Sequence, residues 1–272
     1  MNKTKSSEYD VIKKTKYPST SNTIAIELKK LGINDGDTLL VHSSLSSMGW
    51  VCGGAAAAII GIMTAAGENG NIVMPAFSTD NSDPAIWSNP AVPEQWRNYI
   101  YLEYPAFDPD YTPTRGVGII PEVFRSFPNV RRSYHPQVSF CAMGPMAEEI
   151  TSEHDLTPQF GEYSPLGKLY AVNAKVLLIG CGYESCSCFH MGESMASNMK
   201  MVKNGAAVYT VSSRQWVWFN DYDYDSSDFH ALGESFEKTN EVIKGNVGMA
   251  ECRLFDLKTA VDYSKDWIEK NR

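Results

Sequence analysis

Apolar residues along this chain gather into short blocks separated by glycine, proline and polar clusters. Ser19–Leu31 carries Ile24, Ile26, Leu28 and Leu31 at spacings that suit a helix, and Thr20 or Ser21 offers an N-cap oxygen. The turn Gly32–Asp37 leads into an apolar run, Thr38–Val41, that reads as a core strand. A small-residue helix, 54–66, follows. Gly53-Gly54 opens it, and Gly67–Gly70 supplies glycines suited to its end. Asn71–Ala76 reads as a second buried strand, with further strands at Val138–Met143 and Lys175–Gly180. Val208–Ser212 and Gln215–Phe219 flank Ser213-Arg214 as a hairpin. Helices are expected at Gly118–Ser126, from Ala147, at 193–202, at 228–243 and at 258–270. The alternation predicts an α/β fold, a central β-sheet flanked by helices.

Two stretches depart from this pattern. Residues 79–113 hold Pro84, Pro90, Pro93, Pro105, Pro109 and Pro113 among Trp87, Trp96, Tyr99, Tyr101 and Tyr104. So long a proline- and aromatic-rich stretch reads as an inserted lid rather than a connector. Residues 1–18 are basic and lack the apolar centre of a secretory signal, so they read as a flexible leader. No repeat or low-complexity linker divides the chain, which is expected to form one domain over 1–272.

Composition narrows the function. Hydrophobic residues make up 43% and charged residues 21%, enough for a large core. No segment approaches the roughly 20 apolar residues that a membrane span needs. The formal charge of −8 argues against a nucleic-acid partner and suits a cationic ligand. Six cysteines without an export signal point to reduced thiols in a cytoplasm.

Candidate chemistry lies in four segments. His42, Ser43, Ser44, Ser46 and Ser47 end the first strand just before Gly53-Gly54 and a helix N-terminus. That makes a cradle for an anion such as a phosphate, and it also makes an ordinary strand-to-helix connection. Asp110–Gly118 places Thr112, Thr114, Arg115, Gly116 and Gly118 before another helix, as a phosphate contact or a polar turn. His190 and Glu193 stand one helical turn apart after the strand 175–180. A carboxylate beside an imidazole fixes its tautomer and raises its basicity, as a general base requires. The same spacing also suits a structural histidine beside a surface glutamate. Cys181, Cys186, Cys188 and His190 form C-x4-C-x-C-x-H, which lacks the spacing of a zinc site; no metal is expected. The role of His135, after Arg131-Arg132, stays open.

Taken in order, VHSSLSSMGWVCGGA, IVMPAFS, YTPTRGVGIIPEVFR, RRSYHPQVSFCAMG, YSPLGKLY, VLLIG and CFHMGES resemble the aminoglycoside 3-N-acetyltransferases, antibiotic N-acetyltransferases that lack the GCN5-related fold. The resemblance spans residues 20–265. It implies acetyl-CoA as co-substrate and a small cationic amine as acceptor. The implied product is an antibiotic acetylated at the 3-amino group of 2-deoxystreptamine, and hence drug resistance. The implied coenzyme site is Ser43, Ser44, Leu45, Gly53, Gly54, Ala55, Ser78, Thr112, Thr114, Arg115, Gly116, Val117 and Gly118. The family's His-x-Ala-Glu motif falls on His190 and Glu193, with Gly192 in place of the usual alanine. His42 is the second ionisable group implied near the thioester. Asp80, Asp83, Asp221 and Glu193 are expected to hold the cationic substrate. A homodimer is compatible with the resemblance. The alternative activity is the same transfer to another amine, a metabolite or biosynthetic intermediate. Retention of His190 and Glu193 speaks against a non-enzymatic binding protein.

Overall fold

The computed structural model describes residues 8–211 and 213–272. Helix α1 (Glu8–Lys14) precedes α2 (Ser21–Leu31), which Thr20 caps by accepting from the Thr23 amide. The first strands and helices are then β1 (Thr38–Ser43), α3 (Gly54–Ala66) and β2 (Asn71–Pro75). Next come α4 (Arg97–Glu103), α5 (Ile119–Phe124), β3 (Arg131–Arg132), β4 (Phe140–Met143), α6 (Ala147–Thr151) and α7 (Pro165–Ala171). The chain continues with β5 (Lys175–Ile179), α8 (Cys188–Met195), β6 (Met201–Tyr209) and β7 (Arg214–Tyr222). It ends with α9 (Phe229–Thr239), β8 (Ile243–Val247), β9 (Ala250–Asp256) and α10 (Leu257–Asn271).

Seven strands form one mixed sheet in the order β3-β4-β2-β1-β5-β9-β8. β1 lies at its centre, parallel to both β2 and β5. Side chains of a strand alternate between faces, so β1 serves two cores. Leu39 and Val41 pack with α2 and α3, while Leu40 packs on the opposite side with Val73, Val176 and Leu178. That opposite side is covered by the elements that carry Leu166, Phe189, Phe229 and Val261. His42 shares the Leu40 side, which directs it toward α8. The chain leaves β1 for β2 on one side and meets β5 on the other. Such a switch point opens a crevice at the carboxyl ends of the strands.

Several expected bounds shift. The helix predicted at 193–202 begins earlier, at Cys188, and Ala196 ends it with an extended backbone. Burial of Cys188, Phe189 and Met191 selects that helix, and residues from Met201 pair instead in the β6–β7 hairpin. Ser212, placed in that hairpin by the sequence, lies outside the described residues. The helix expected over 228–243 stops at Thr239, and β8 and β9 intervene before α10. Of the leader, residues 1–7 lie outside the described residues and 8–14 are helical.

The segment 79–113 is fastened to the hairpin. Asn81 exchanges two hydrogen bonds with the backbone of Ala207, the Phe107 amide donates to Ala207 O, and Tyr101 packs edge-on against Trp216. Its two ends are tied by Arg132. That guanidinium donates to Ala76 O and Ser78 Oγ at one end and to the carbonyls of Pro109 and Thr112 at the other. It lies 4.9 Å from the centre of the Phe107 ring. Burial pulls its pKa down to about 10.

Candidate active site

A cavity of about 990 Å³ opens at the carboxyl ends of β1, β2 and β5. One wall is made by Ser43, Ser44, Leu45, Gly54 and Gly116–Gly118, the other by Gln159, Phe160, His190 and Tyr224. At one margin stand Glu8 and Val11 of α1 beside Trp50. Trp50 donates its indole N–H to Glu8 over 3.2 Å and its amide to Thr15 over 2.8 Å.

His190 and Glu193 meet on the inner side of α8. The imidazole Nδ1 is hydrogen-bonded to Glu193 Oε2. Glu193 is 0% exposed, so its charge needs partners. Its other oxygen accepts from the Asp225 amide at 2.9 Å and from Arg272 Nη1. Arg272 is held in turn by Asp228 and by the carbonyl of Asp225. The carboxylates of Asp228 and Glu193 outweigh burial and raise the guanidinium pKa. Phe160 stacks on the His190 ring at 4.8 Å and 14°, and Phe229 lies 4.7 Å away. With Nδ1–H committed to Glu193, the ring's lone pair is at Nε2. This arrangement can accept a proton from a ligand in the cavity.

His42 also borders the cavity but is nearly buried. Its Nε2 contacts the amide of Ser187, at 3.4 Å, and the Ser187 hydroxyl, at 3.2 Å. Burial, reinforced by His190, lowers its pKa to about 3. His42 is therefore neutral and a weak base, and it braces the start of α8.

The expected coenzyme residues divide. Ser43, Ser44, Leu45, Gly54, Gly116, Val117 and Gly118 border the cavity. Gly53 and Ala55 flank that wall at the start of α3 without bordering the cavity. Thr112 and Thr114 have their hydroxyls engaged by the Asp108 amide and by Glu122. Ser78 is buried under Arg132 and donates to Pro113 O. Arg115 lies beside Asp80 at 3.6 Å. Thr112, Thr114 and Ser78 support the loop through hydrogen bonds within the protein, whereas the Arg115 side chain is 58% exposed.

The expected substrate carboxylates do not converge. Asp221 is buried, and it accepts from the amides of Gln159 and Tyr222 and from Thr157. Asp83 accepts from Tyr101 and the Ala85 amide. Glu193 lies behind His190, out of reach of a ligand. Among the described residues, the acids bordering the cavity are Glu8 and Glu184.

The cysteine tract is dismantled by the fold. Cys186 and Cys188 face the core with sulfurs 3.3 Å apart, and burial holds Cys188 well above its usual pKa. Cys181 borders the cavity, but burial pushes its pKa up to about 12. Among the described residues, no cluster of three His, Cys, Asp or Glu side chains could hold a metal. His135 is also accounted for. Its Nδ1 accepts from the amides of Gln137 and Val138, and burial keeps its pKa well below the usual value.

Sequence reasoning missed Gln159, Phe160, Tyr224 and Arg272, which carry no local signal.

The donor half has features that fit acetyl-CoA. Ser43 Oγ is buried at the cavity wall and has no hydrogen-bond partner among the described residues. Gly54 and Gly116 have φ of +58° and +79°, and an added Cβ at either would meet nothing within 4 Å. Backbone can thus approach a ligand closely beside the positive end of α3.

Among relatives, the SPbeta prophage-derived aminoglycoside N(3')-acetyltransferase-like protein YokD of Bacillus subtilis is 43% identical over 96% of both chains. Aminoglycoside N(3)-acetyltransferase VII of Streptomyces paromomycinus is 30% identical over 97% of this chain and 96% of its own. The crystal structure of YokD superposes with a TM-score of 0.95 at 42% identity, covering 97% of this chain and 98% of that one. Two liganded structures, at 26% identity, also match with TM-scores of 0.83: AAC-IIIb with CoASH, over 93% of this chain and 97% of that one, and AAC-VIa bound to sisomicin, over 94% and 99%. The family model described as aminoglycoside 3-N-acetyltransferase matches residues 40–269, so this chain belongs to the aminoglycoside 3-N-acetyltransferase family.

Proposed function

We propose that this protein transfers an acetyl group from acetyl-CoA to the 3-amino group of 2-deoxystreptamine aminoglycosides, and so confers resistance to them. The carrying observation is His190, locked by Glu193 with its remaining nitrogen available at the cavity that the donor wall also borders. Acetyl-CoA supplies the thioester carbonyl that the amine attacks. His190 Nε2 takes the proton that the amine must lose, and Glu193 steadies the resulting imidazolium. Arg272 and the Asp225 amide hold Glu193 in its buried place, while Phe160 fixes the plane of the ring. The transfer is direct. Cys181, the thiol at the cavity, has its pKa pushed up by burial and supplies little thiolate. The donor wall offers Ser43 Oγ and the Gly116–Gly118 backbone to the coenzyme. A cytoplasmic setting suits this reading. No described helix is long and apolar enough to cross a membrane.

A second reading, acetyl transfer to another small amine, draws on one observation. Asp80, Asp83 and Asp221 stand away from the cavity, which leaves few carboxylates for a polycation. Acetyl transfer measured across aminoglycosides and monoamines, with drug susceptibility of expressing cells, decides between them. Acetylation of an aminoglycoside at the 3-amino group and reduced susceptibility are expected. Acetylation of monoamines alone selects the second reading, and no transfer to any amine refutes both.

A further inference from the structure

Gln159 is 8% exposed and borders the cavity, yet its Oε1 has no hydrogen-bond partner among the described residues. A buried acceptor left in this state is costly unless a ligand completes it. The backbone of Gln159 is held with unusual care. Its amide donates to the buried Asp221 at 3.0 Å, and its carbonyl bonds His154 Nε2 at 2.8 Å. Burial lowers His154 to about pKa 4, so the ring is neutral and Nε2–H donates to that carbonyl while Nδ1 accepts from Ser133. The next residue, Phe160, is the one stacked on His190. Two buried ionisable groups that take no part in proton transfer thus fix the backbone that carries one orphan acceptor, at the cavity that His190 also borders.

We infer that Gln159 Oε1 receives an N–H of the acceptor amine, so that the site selects primary over N-alkylated amines. The inference rests on the acetyl-transfer reading above. As the amine nitrogen bonds to the acyl carbon and the carbon–sulfur bond breaks, one amine hydrogen passes to His190 and on to the departing sulfur. The second hydrogen stays on nitrogen in the product amide, and Gln159 accepts it throughout. A secondary amine has one hydrogen, which His190 takes, so Gln159 is left unpaired.

The test compares an amine that the enzyme acetylates with its N-methyl derivative, in wild type, Gln159→Met and Gln159→Glu. The wild type is expected to prefer the primary amine by about 10- to 100-fold in kcat/KM, the size of one buried hydrogen bond. Gln159→Met removes the acceptor and abolishes the preference, with the loss in the amine's kinetics and KM for acetyl-CoA unchanged. Gln159→Glu keeps an acceptor oxygen and keeps the preference, which also carries the test if the methionine variant does not fold. An unchanged preference in Gln159→Met, or a lost one in Gln159→Glu, overturns the inference. So does an effect confined to acetyl-CoA, which would place a pantetheine amide on Gln159. Each of these leaves the acetyl-transfer reading standing, whereas a wild type that acetylates no amine removes that reading itself.

Discussion

Replacing Gly192 by alanine, the residue the related motif carries, is expected to harm this protein. Gly192 lies in α8 between His190 and Glu193 and packs against α10. A Cβ built there would stand 2.0 Å from Ser264 Oγ, 3.0 Å from Ser264 Cβ and 2.8 Å from the backbone nitrogen of Lys265. The hydroxyl can rotate away, at the loss of its bond to Val261 O. The backbone nitrogen cannot, and it is about 0.6 Å short of an ordinary 3.4 Å contact. The two helices must therefore part by roughly that distance. Overpacking of this kind costs about 1–3 kcal/mol, against about 1 kcal/mol gained in helix propensity. A net loss of about 1 kcal/mol lowers Tm by roughly 3 °C in a chain of this size. The parting also draws Arg272, at the end of α10, away from Glu193, so kcat should fall by more than KM changes. Thermal unfolding and steady-state acetyl transfer measure both effects, with Ser264→Gly added to give back part of the space. An alanine variant as stable and as fast as the wild type would refute the reasoning.

His190→Ala should lower kcat by about 10²–10⁴, the usual contribution of a positioned base, with acetyl-CoA binding by calorimetry unchanged. Arg272→Met leaves Glu193 buried with the Asp225 amide and His190 as its remaining partners. It should cost about 3–5 kcal/mol in denaturant unfolding, the range for removing one partner of a buried pair, and kcat should fall with it. Acid should also weaken the fold before its carboxylates titrate. His42, at about 3, and His154, at about 4, stay neutral in the native state, whereas an unfolded histidine protonates near 6.5. The unfolded chain then binds the extra protons, so stability falls as pH drops below about 6.5. Each such histidine contributes up to about 1.4 kcal/mol per pH unit. Urea midpoints at pH 7 and pH 5 test this, and equal values would show that these rings ionise in place.

The legible parts of the molecule were those whose signal is local. β1, α3, β2 and β5 were readable because uninterrupted apolar blocks bounded by glycine leave few alternatives. His190 and Glu193 were readable because one helical turn separates them. β8 was hidden because an edge strand such as Ile243–Val247 is mostly exposed and has no buried periodicity. Arg272 was hidden because its partner Glu193 lies 79 positions away, and a lone arginine at the end of a helix reads as solvated. Asp221 misled for the opposite reason. It reads as a cation ligand, but it is buried and anchors the Gln159 amide.

Arg132 has a consequence for how such a protein can change. It pins Ala76 and Ser78 to Pro109 and Thr112, the two feet of a long excursion in the chain. Insertions or replacements between those feet leave both anchored, and Gly116–Gly118 keep their place at the cavity. Variation can accumulate in one stretch of the chain without disturbing the geometry of the other.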